Sequence, residues 1–351
     1  MPQWMIYGAN GYTGEMVARE AVSRGLKPIL AGRKRAPIET LAAELGLDYR
    51  IIDLNDAQAL QQALDQISIV AHCAGPFSRT SQPMIDACIA THTHYLDITG
   101  EISAFVAAHA RHDEAVAANI VICAGVGFDV IPTDCLAACL KMALPDADTL
   151  ALGFDSRSGF SPGTAKTSIE GLGQGGKIRV KDEIVTVPLA CHSREIDFGN
   201  GAKHAVTIPW GDIATAWFST GIDNIEVFIP MAPSAAMRLR RLNWLRPLFN
   251  LPPVQGLLKH LLGRRIKGPG TEQRRKARTW VWGEAQNPAG KKVTARIETA
   301  NGYDVTVEGV LFAVNHLLTE EKLIPGYFTP SRLLGERCIE QLPDSGQIVF
   351  S

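Results

Sequence analysis

From its amino end the chain alternates short apolar runs with longer amphipathic stretches. Gln3–Tyr7 is an apolar run ending at Gly8 and reads as a buried strand. Met16–Arg24 puts Met16, Val17, Ala21 and Val22 on one face of a helix that stops at Gly25. The alternation continues with strands over Lys27–Ala31, Tyr49–Asp53, Ile67–Cys73, His94–Ile98 and Ile120–Cys123. Helices over Pro37–Leu45, Ala57–Leu64, Ser81–Ala90 and Ser103–Ala117 separate them. Short strands alternating with helices imply βαβ units, right-handed crossovers and a parallel sheet.

Past residue 132 the texture changes. A helix over Thr133–Leu144 gives way to alternating segments at Leu150–Asp155, Lys177–Val187, Ser193–Asp197, His204–Ile208, Asn224–Ile229, Lys276–Glu284 and Lys292–Thr299. Alternation with polar connections predicts a mostly antiparallel sheet with one face buried. A helix over Tyr303–Leu317 is expected to cover that face, and a last helix, Pro330–Glu340, is a candidate to pack back on the first domain. The expected fold is α/β: a doubly wound parallel (Rossmann) sheet over 1–131 and an α+β domain with a mostly antiparallel sheet over 132–325. A C-terminal helix and tail occupy 326–351.

The loop after the first strand is Gly8-Ala9-Asn10-Gly11-Tyr12-Thr13-Gly14. In a dinucleotide site the first glycine permits the tight turn, the second a close approach to the pyrophosphate, and the third close helix–strand packing. The helix N-terminus adds N–H donors and partial positive charge. NAD sites place an acid about 20 residues after the loop to bind ribose hydroxyls. Here the second strand ends Ala31-Gly32-Arg33-Lys34, with no acid. A guanidinium can grip the extra phosphate of NADP in bidentate fashion, so Arg33 and Lys34 predict NADP(H) as cofactor. Their alternative is a solvated basic turn. Asp53, at the end of the third strand, is either an adenine contact or a turn carboxylate.

A second group of loops leaves the carboxyl ends of the later strands, where ligands of such sheets bind. They are Cys73-Ala74-Gly75-Pro76-Phe77, Asp97-Ile-Thr-Gly-Glu101 and Cys123–Asp134. Together with Gly8–Gly14, Ala31–Arg33, Tyr95–Glu101 and Gly127–Asp134, these strings resemble the saccharopine dehydrogenase-like oxidoreductases, in the branch that includes trans-acting enoyl reductases. Gly163-Thr164, a helix start in the second domain, also fits. The resemblance covers the first domain well and the second loosely, and its motifs say nothing of substrate. It implies that Gly8–Gly14 hold the pyrophosphate and Arg33 the 2′-phosphate. Ala74–Phe77 would lie along the cofactor toward the nicotinamide, with Cys73 beside them as a further cofactor-binding candidate.

A short-chain reductase shares the glycine spacing but needs a Tyr with a Lys four residues on, which lowers the phenol pKa. The six tyrosines, Tyr7, Tyr12, Tyr49, Tyr95, Tyr303 and Tyr327, are followed at that spacing by Gly11, Met16, Asp53, Thr99, Val307 and Ser331. The expected activity is therefore hydride transfer between NADP(H) and a small or acyl-type substrate bearing an enoyl, carbonyl or imine group. Asp129 and Lys166 are the candidate proton donors, each with a structural salt bridge as its alternative. The competing functions are a non-catalytic NADP-binding sensor or scaffold and a true saccharopine reductase.

Composition narrows the partners. The 351 residues carry 35 basic and 36 acidic side chains, a net charge of −1, which argues against nucleic acid. Seven scattered cysteines without a Cys-x-x-Cys pair argue against disulfides, and Cys135 and Cys139 read as small buried hydrophobes. The His92-Thr-His94 pair lacks further ligands at zinc spacing, so no metal is expected. No apolar run is long enough to span a membrane, and strand-like sequence from Gln3 leaves no room for a signal peptide. A cytoplasmic protein is expected, with one reservation. Arg238–Arg278 holds 12 Lys or Arg against a single acid, Glu272, interleaved with Trp244 and many leucines. Basic amphipathic segments of this kind lie on anionic membranes or dock acidic partners such as an acyl carrier. A lid or homodimer contact is the alternative.

Overall fold

The computed structural model describes residues 2–157, 171, 173–249, 251, 253–256 and 270–351. The chain divides into two compact units, Met1–Ile131 with Tyr303–Leu334, and Pro132–Gly302 with Gly335–Ser351.

The first unit runs β1 (Gln3–Tyr7), α1 (Tyr12–Ser23), β2 (Ile29–Gly32), α2 (Arg35–Leu45), β3 (Tyr49–Ile51), α3 (Ala57–Leu64) and β4 (Ile67–His72). It continues with α4 (Phe77–Thr91), β5 (His94–Asp97), α5 (Ile102–His109), α6 (His112–Ala117) and β6 (Val121–Cys123). The helix Gly302–Thr319 and strand β15 (Gly326–Phe328) complete it. Among the described residues the strands form one seven-stranded sheet in the order β15-β6-β5-β4-β1-β2-β3, with every pairing parallel. The central strands are largely apolar because helices cover both faces. On one face Trp4, Ile6, Leu30, Ile69 and Leu96 pack with Val17, Ala21 and Ile38 of α1 and α2, and with Val310, Leu311 and Val314. Each such side chain is worth about 1.5–3 kcal/mol when fully buried.

Three expectations change here. The helix from Tyr303 covers the parallel sheet, not the antiparallel one: Val307, Val310 and Val314 sit in the first unit's core. Its apolar stripe was legible, but a stripe does not say which sheet it faces. The predicted helix 103–117 is two helices, α5 and α6, parted at Ala110–Arg111. The predicted helix 330–340 ends at Leu334, where Gly335 adopts φ +95°, and a 3-10 turn follows at Cys338–Gln341. β15 was not foreseen; at three residues it is too short to show a period.

The second unit holds β7 (Thr149–Ser156), β8 (Gly176–Val180), β9 (Glu183–Val187), β10 (Ser193–Asp197), β11 (Ala202–Thr207) and β12 (Asn224–Pro230). β13 (Arg278–Gln286), β14 (Lys292–Ala300) and β16 (Val349–Phe350) follow. Seven strands run β10-β11-β12-β7-β13-β14-β16, and the hairpin β8–β9 joins at β12. Only β7 and β12 pair in parallel; the other pairs among the described residues are antiparallel. The predicted single segment 177–187 is this hairpin, folded at Lys181-Asp182 with φ of 47° and 72°, as a tight two-residue turn requires. Phe198, Phe228, Trp282 and Ile196 fill one face. Leu136 and Leu140 of the helix beginning at Ile131 reach Gly283 on β13.

Candidate functional site

The strand order of the first unit reverses between β1 and β4, so the chain leaves these neighbours toward opposite faces and opens a crevice at their carboxyl ends. The loops after β1 and β4 form its floor. Gly8 adopts φ +85°, and a Cβ on it would lie 2.8 Å from the Ala74 Cβ and 2.9 Å from the Ala74 nitrogen. Gly14 is fixed from within the loop, because a Cβ there would stand 2.3 Å from the Gly8 carbonyl oxygen. Gly11 differs: its nearest such contact is the Gly8 oxygen at 3.2 Å, and nothing else comes within 4 Å. Two of the glycines are thus demanded by the chain's own packing. The third is tight only toward the Gly8 oxygen, and no other atom of the described residues stands against it. Gly11 also caps α1 with extended backbone and no side-chain hydrogen bond, so the first turn is not closed off by a capping side chain. Helix α1 starts at Tyr12, four residues before the predicted Met16, and its N-terminus therefore sits within the glycine loop.

Arg33 and Lys34 follow β2, and both are exposed. Neither side chain is engaged in an ion pair or hydrogen bond among the described residues, whereas Arg35, the next in line, is held by Glu39 at 2.9 Å. Asp53 accepts from the Asn55 backbone N–H at 3.0 Å and side-chain amide at 2.8 Å, both on Oδ1. It is a turn carboxylate with its second oxygen outside that turn. Between these loops lies Tyr7, whose hydroxyl donates to the Ile52 carbonyl at 3.1 Å. Burial pushes its phenol up to about 12, partly opposed by the Arg33 charge.

The β4 loop is braced by Glu101, which accepts from the N–H groups of Phe77 at 2.7 Å and Ser78 at 2.9 Å. This carboxylate caps α4 from another loop and stabilises the positive end of its dipole. Phe77, predicted as loop, is the first residue of α4, and the preceding Gly75–Pro76 bond is cis. Burial raises the Cys73 thiol to about 12, so it is a protonated neighbour rather than a nucleophile.

Asp97, at the end of β5, ties the next two loops together. Its Oδ1 accepts from Thr99 N at 3.0 Å and Gly125 N at 2.8 Å, and Oδ2 from the Tyr95 hydroxyl at 2.7 Å. Burial lifts this carboxyl to about 6 despite those donors. Asp129 lies against the same region: a Cβ on Gly100 would be 2.6 Å from its Oδ2. Asp129 is half-buried, and desolvation raises its carboxyl to about 7.

Sequence reasoning missed two groups. The helix Gly302–Thr319 brings Tyr303 edge-on to Tyr12, with ring centroids 5.1 Å apart, and the Thr306 hydroxyl accepts from Phe128 N at 3.0 Å. Both were hidden because that helix was assigned to the other sheet. His72, last residue of β4, is fully buried, and neither ring nitrogen has a hydrogen-bond partner among the described residues. Packed against Tyr7, Phe77 and Tyr95, it is held neutral with its pKa lowered to about 3 by burial. Its place at the end of an apolar strand gave no signal. Lys166 and Gly163-Thr164 lie outside the described residues. His92 and His94 serve the backbone: His92 Nδ1 lies 2.8 Å from the Ala118 carbonyl, and His94 Nδ1 accepts from Val121 N at 2.9 Å.

Residues 4–123 match the model of the saccharopine dehydrogenase NADP binding domain. The matched stretch spans β1 to β6 and contains the glycine loop, Arg33, Lys34 and the β4 loop. A saccharopine dehydrogenase-like oxidoreductase of Rattus norvegicus is 27% identical over 50% of this chain and 47% of its own length. The trans-acting enoyl reductase of Mycobacterium leprae is 31% identical over 37% of this chain and 33% of its own length. In these alignments the chain spans about half or less of the relatives' length. Apo saccharopine dehydrogenase (L-Glu forming) from Saccharomyces cerevisiae has the same fold, with a TM-score of 0.67 at 12% identity over 100% of this chain and 99% of that one. Homospermidine synthase from Legionella pneumophila, solved with NAD, gives 0.64 at 9% identity, over 99% of this chain and 91% of that one.

Proposed function

We propose that the chain is an NADP(H)-dependent oxidoreductase that transfers a hydride to or from a carbon of an enoyl, carbonyl or imine group. The observation that carries this reading is the pair Arg33 and Lys34, exposed after β2 and without an ion pair or hydrogen bond among the described residues, beside the glycine loop at the α1 N-terminus. Residues of the fold fit the cofactor: Gly8–Gly14 and the α1 N-terminus toward the pyrophosphate, Arg33 and Lys34 toward the 2′-phosphate, and Cys73–Phe77 along the nicotinamide half. When bound, the nicotinamide supplies or accepts the hydride.

The remaining work belongs to the side chains. Glu101 fixes the backbone of Phe77 and Ser78, and Asp97 holds the β5 and β6 loops in register. Asp129, with a carboxyl near 7, keeps a large protonated fraction at neutral pH and is the candidate proton donor. Relatives named for oxidoreductase and enoyl reductase activity support the reaction class.

The test is a parallel titration with NADPH and NADH, read by energy transfer from tryptophan to nicotinamide, on wild type and Arg33→Ala. A charge-assisted contact contributes about 1.5–3 kcal/mol, so the variant should bind NADPH at least about tenfold more weakly and NADH unchanged. Failure of both nucleotides to bind the wild type would remove the enzyme reading. NADPH binding without oxidation by any member of an enoyl, carbonyl and imine panel would replace it with a cofactor-binding sensor.

A further inference from the structure

The helix Pro233–Leu242 is fastened to the second unit along one side. Ala236 is buried, and Leu239 packs against the cluster of Ala190, Val206 and Ala236. Arg240 Nε donates to the Ala190 carbonyl at 2.7 Å, and the Asn243 side chain accepts from Leu189 N at 2.7 Å. These contacts fix which side faces outward. The helical backbone continues through a 3-10 turn, Asn243–Leu245, into the short helix Arg246–Phe249. On the free side Met237 is 55% exposed, Trp244 90%, Leu245 44% and Leu248 51%. Positions 237, 241, 244, 245 and 248 follow the i, i+4, i+7, i+8, i+11 spacing of one helical stripe. Arg238 and Arg241 are exposed along it, and neither meets a carboxylate among the described residues. The sequence holds no Asp or Glu between Glu226 and Glu272.

We infer that this stripe is a docking surface for an anionic lipid bilayer. An outward tryptophan with leucines and methionine, bordered by arginines and free of acids, has the chemistry that settles at the headgroup level of a membrane. Each arginine near a surface rich in anionic lipid adds attraction that salt screens. A second copy of the chain fits poorly, because a two-fold contact would set the stripe's arginines against one another with no acid beside them. Among the described residues no helix is long and apolar enough to cross a membrane. The inference is independent of the cofactor reading.

Flotation of the full chain with vesicles of pure phosphatidylcholine, and of phosphatidylcholine with 30% phosphatidylglycerol as roughly the anionic load needed for a surface potential, tests it. Wild type should bind the anionic vesicles about tenfold or more tightly than the neutral ones, and high salt should weaken that binding. Arg238→Glu/Arg241→Glu should lose most of it, and Trp244→Ser should weaken it several-fold. NADPH affinity and melting temperature of the variants, unchanged, show that the fold is intact. No binding to either vesicle, equal binding to both, or anionic binding untouched by the variants would each overturn the inference. So would a concentration-dependent dimer, or binding to a purified acidic carrier protein without vesicle binding, if the same substitutions abolished it.

Discussion

Both units gather charged side chains in one place, and the two are built on opposite terms. In the second unit a hollow of about 310 Å³ is lined by Arg179, Arg194, Lys292, His192, Glu226 and Glu284, among others. There the cations are already engaged. Arg194 and Lys292 both meet Glu284, at 3.1 and 3.2 Å, and His192 pairs with Glu226. Arg179 donates to the carbonyls of Ile213 and Asp182 and stacks over Trp217 at 4.6 Å. In the first unit Arg33 and Lys34 have no ion pair or hydrogen bond among the described residues, and they lie beside a backbone loop that presents a helix N-terminus. An anion entering the second unit's hollow would have to displace carboxylates already in place. One entering the crevice meets donors that no carboxylate of the described residues holds. Charge density marks both places; the lack of internal partners is what sets the first apart.

The largest effect is expected where the crevice backbone is disturbed. Gly14→Ala drives a Cβ into the Gly8 carbonyl, a backbone atom with no rotamer through which to retreat. The expected cost is about 1–3 kcal/mol of stability. Because the Gly8 turn has to move, NADPH affinity should fall by about a hundredfold or more, as misplaced phosphate donors lose several charge-assisted bonds. Thermal melting and NADPH titration of one purified variant measure both. A variant that binds normally would show that the loop is only a structural turn.

That loop was the most legible part of the molecule, and the reason is physical. Glycines at a strand–helix junction are local, and two of them answer to contacts within a few residues or on the neighbouring loop. The β2 basic pair was equally plain, since an acid or its absence at one position is a sequence fact. What stayed hidden is long-range. Tyr303 and Thr306 reach the β1 and β6 loops from a helix far along the chain, and their apolar stripe does not record which sheet it covers. Glu101 was noticed as part of a loop, but its capping of α4 depends on two loops meeting in space. His72 is silent in sequence because a strand-end histidine looks the same whether its nitrogens are partnered or not.

A smaller effect sharpens the electrostatic side of the comparison. Asp129 has a folded value near 7, above the usual 3.8 of an aspartate. The folded state therefore keeps a proton that the unfolded chain has released, and this group's contribution to stability declines as pH rises from about 4 through 7, then levels off. Between pH 6 and 7 the loss amounts to about 1 kcal/mol. Buried neutral His72 acts with the opposite sign over the acidic range, and Asp97, near 6, contributes mainly lower down. Both cancel in the difference between wild type and Asp129→Asn, which should carry the slope alone. Urea unfolding at several pH values reads it; parallel profiles would mean that Asp129 titrates as an ordinary carboxylate. In the reductive direction, turnover should fall above pH 7 in the wild type and lose that limb in the variant.

The smallest expected effect comes from the second unit's hollow, and its smallness is the point. Lys292 is half exposed at 50% of its side chain, and it shares Glu284 with Arg194. Removing it as Lys292→Ala leaves Glu284 still neutralised, so stability should change by no more than about 0.5 kcal/mol, the scale of an exposed pair screened by solvent. NADPH affinity should not move, because no donor of the crevice is altered. Lys34→Ala removes a lysine of similar exposure but without a carboxylate partner, and it should weaken NADPH binding several-fold while leaving the melting temperature in place. The two substitutions delete the same charge from the same chain. A shared outcome, in either direction, would mean that internal compensation does not separate a binding site from a balanced surface.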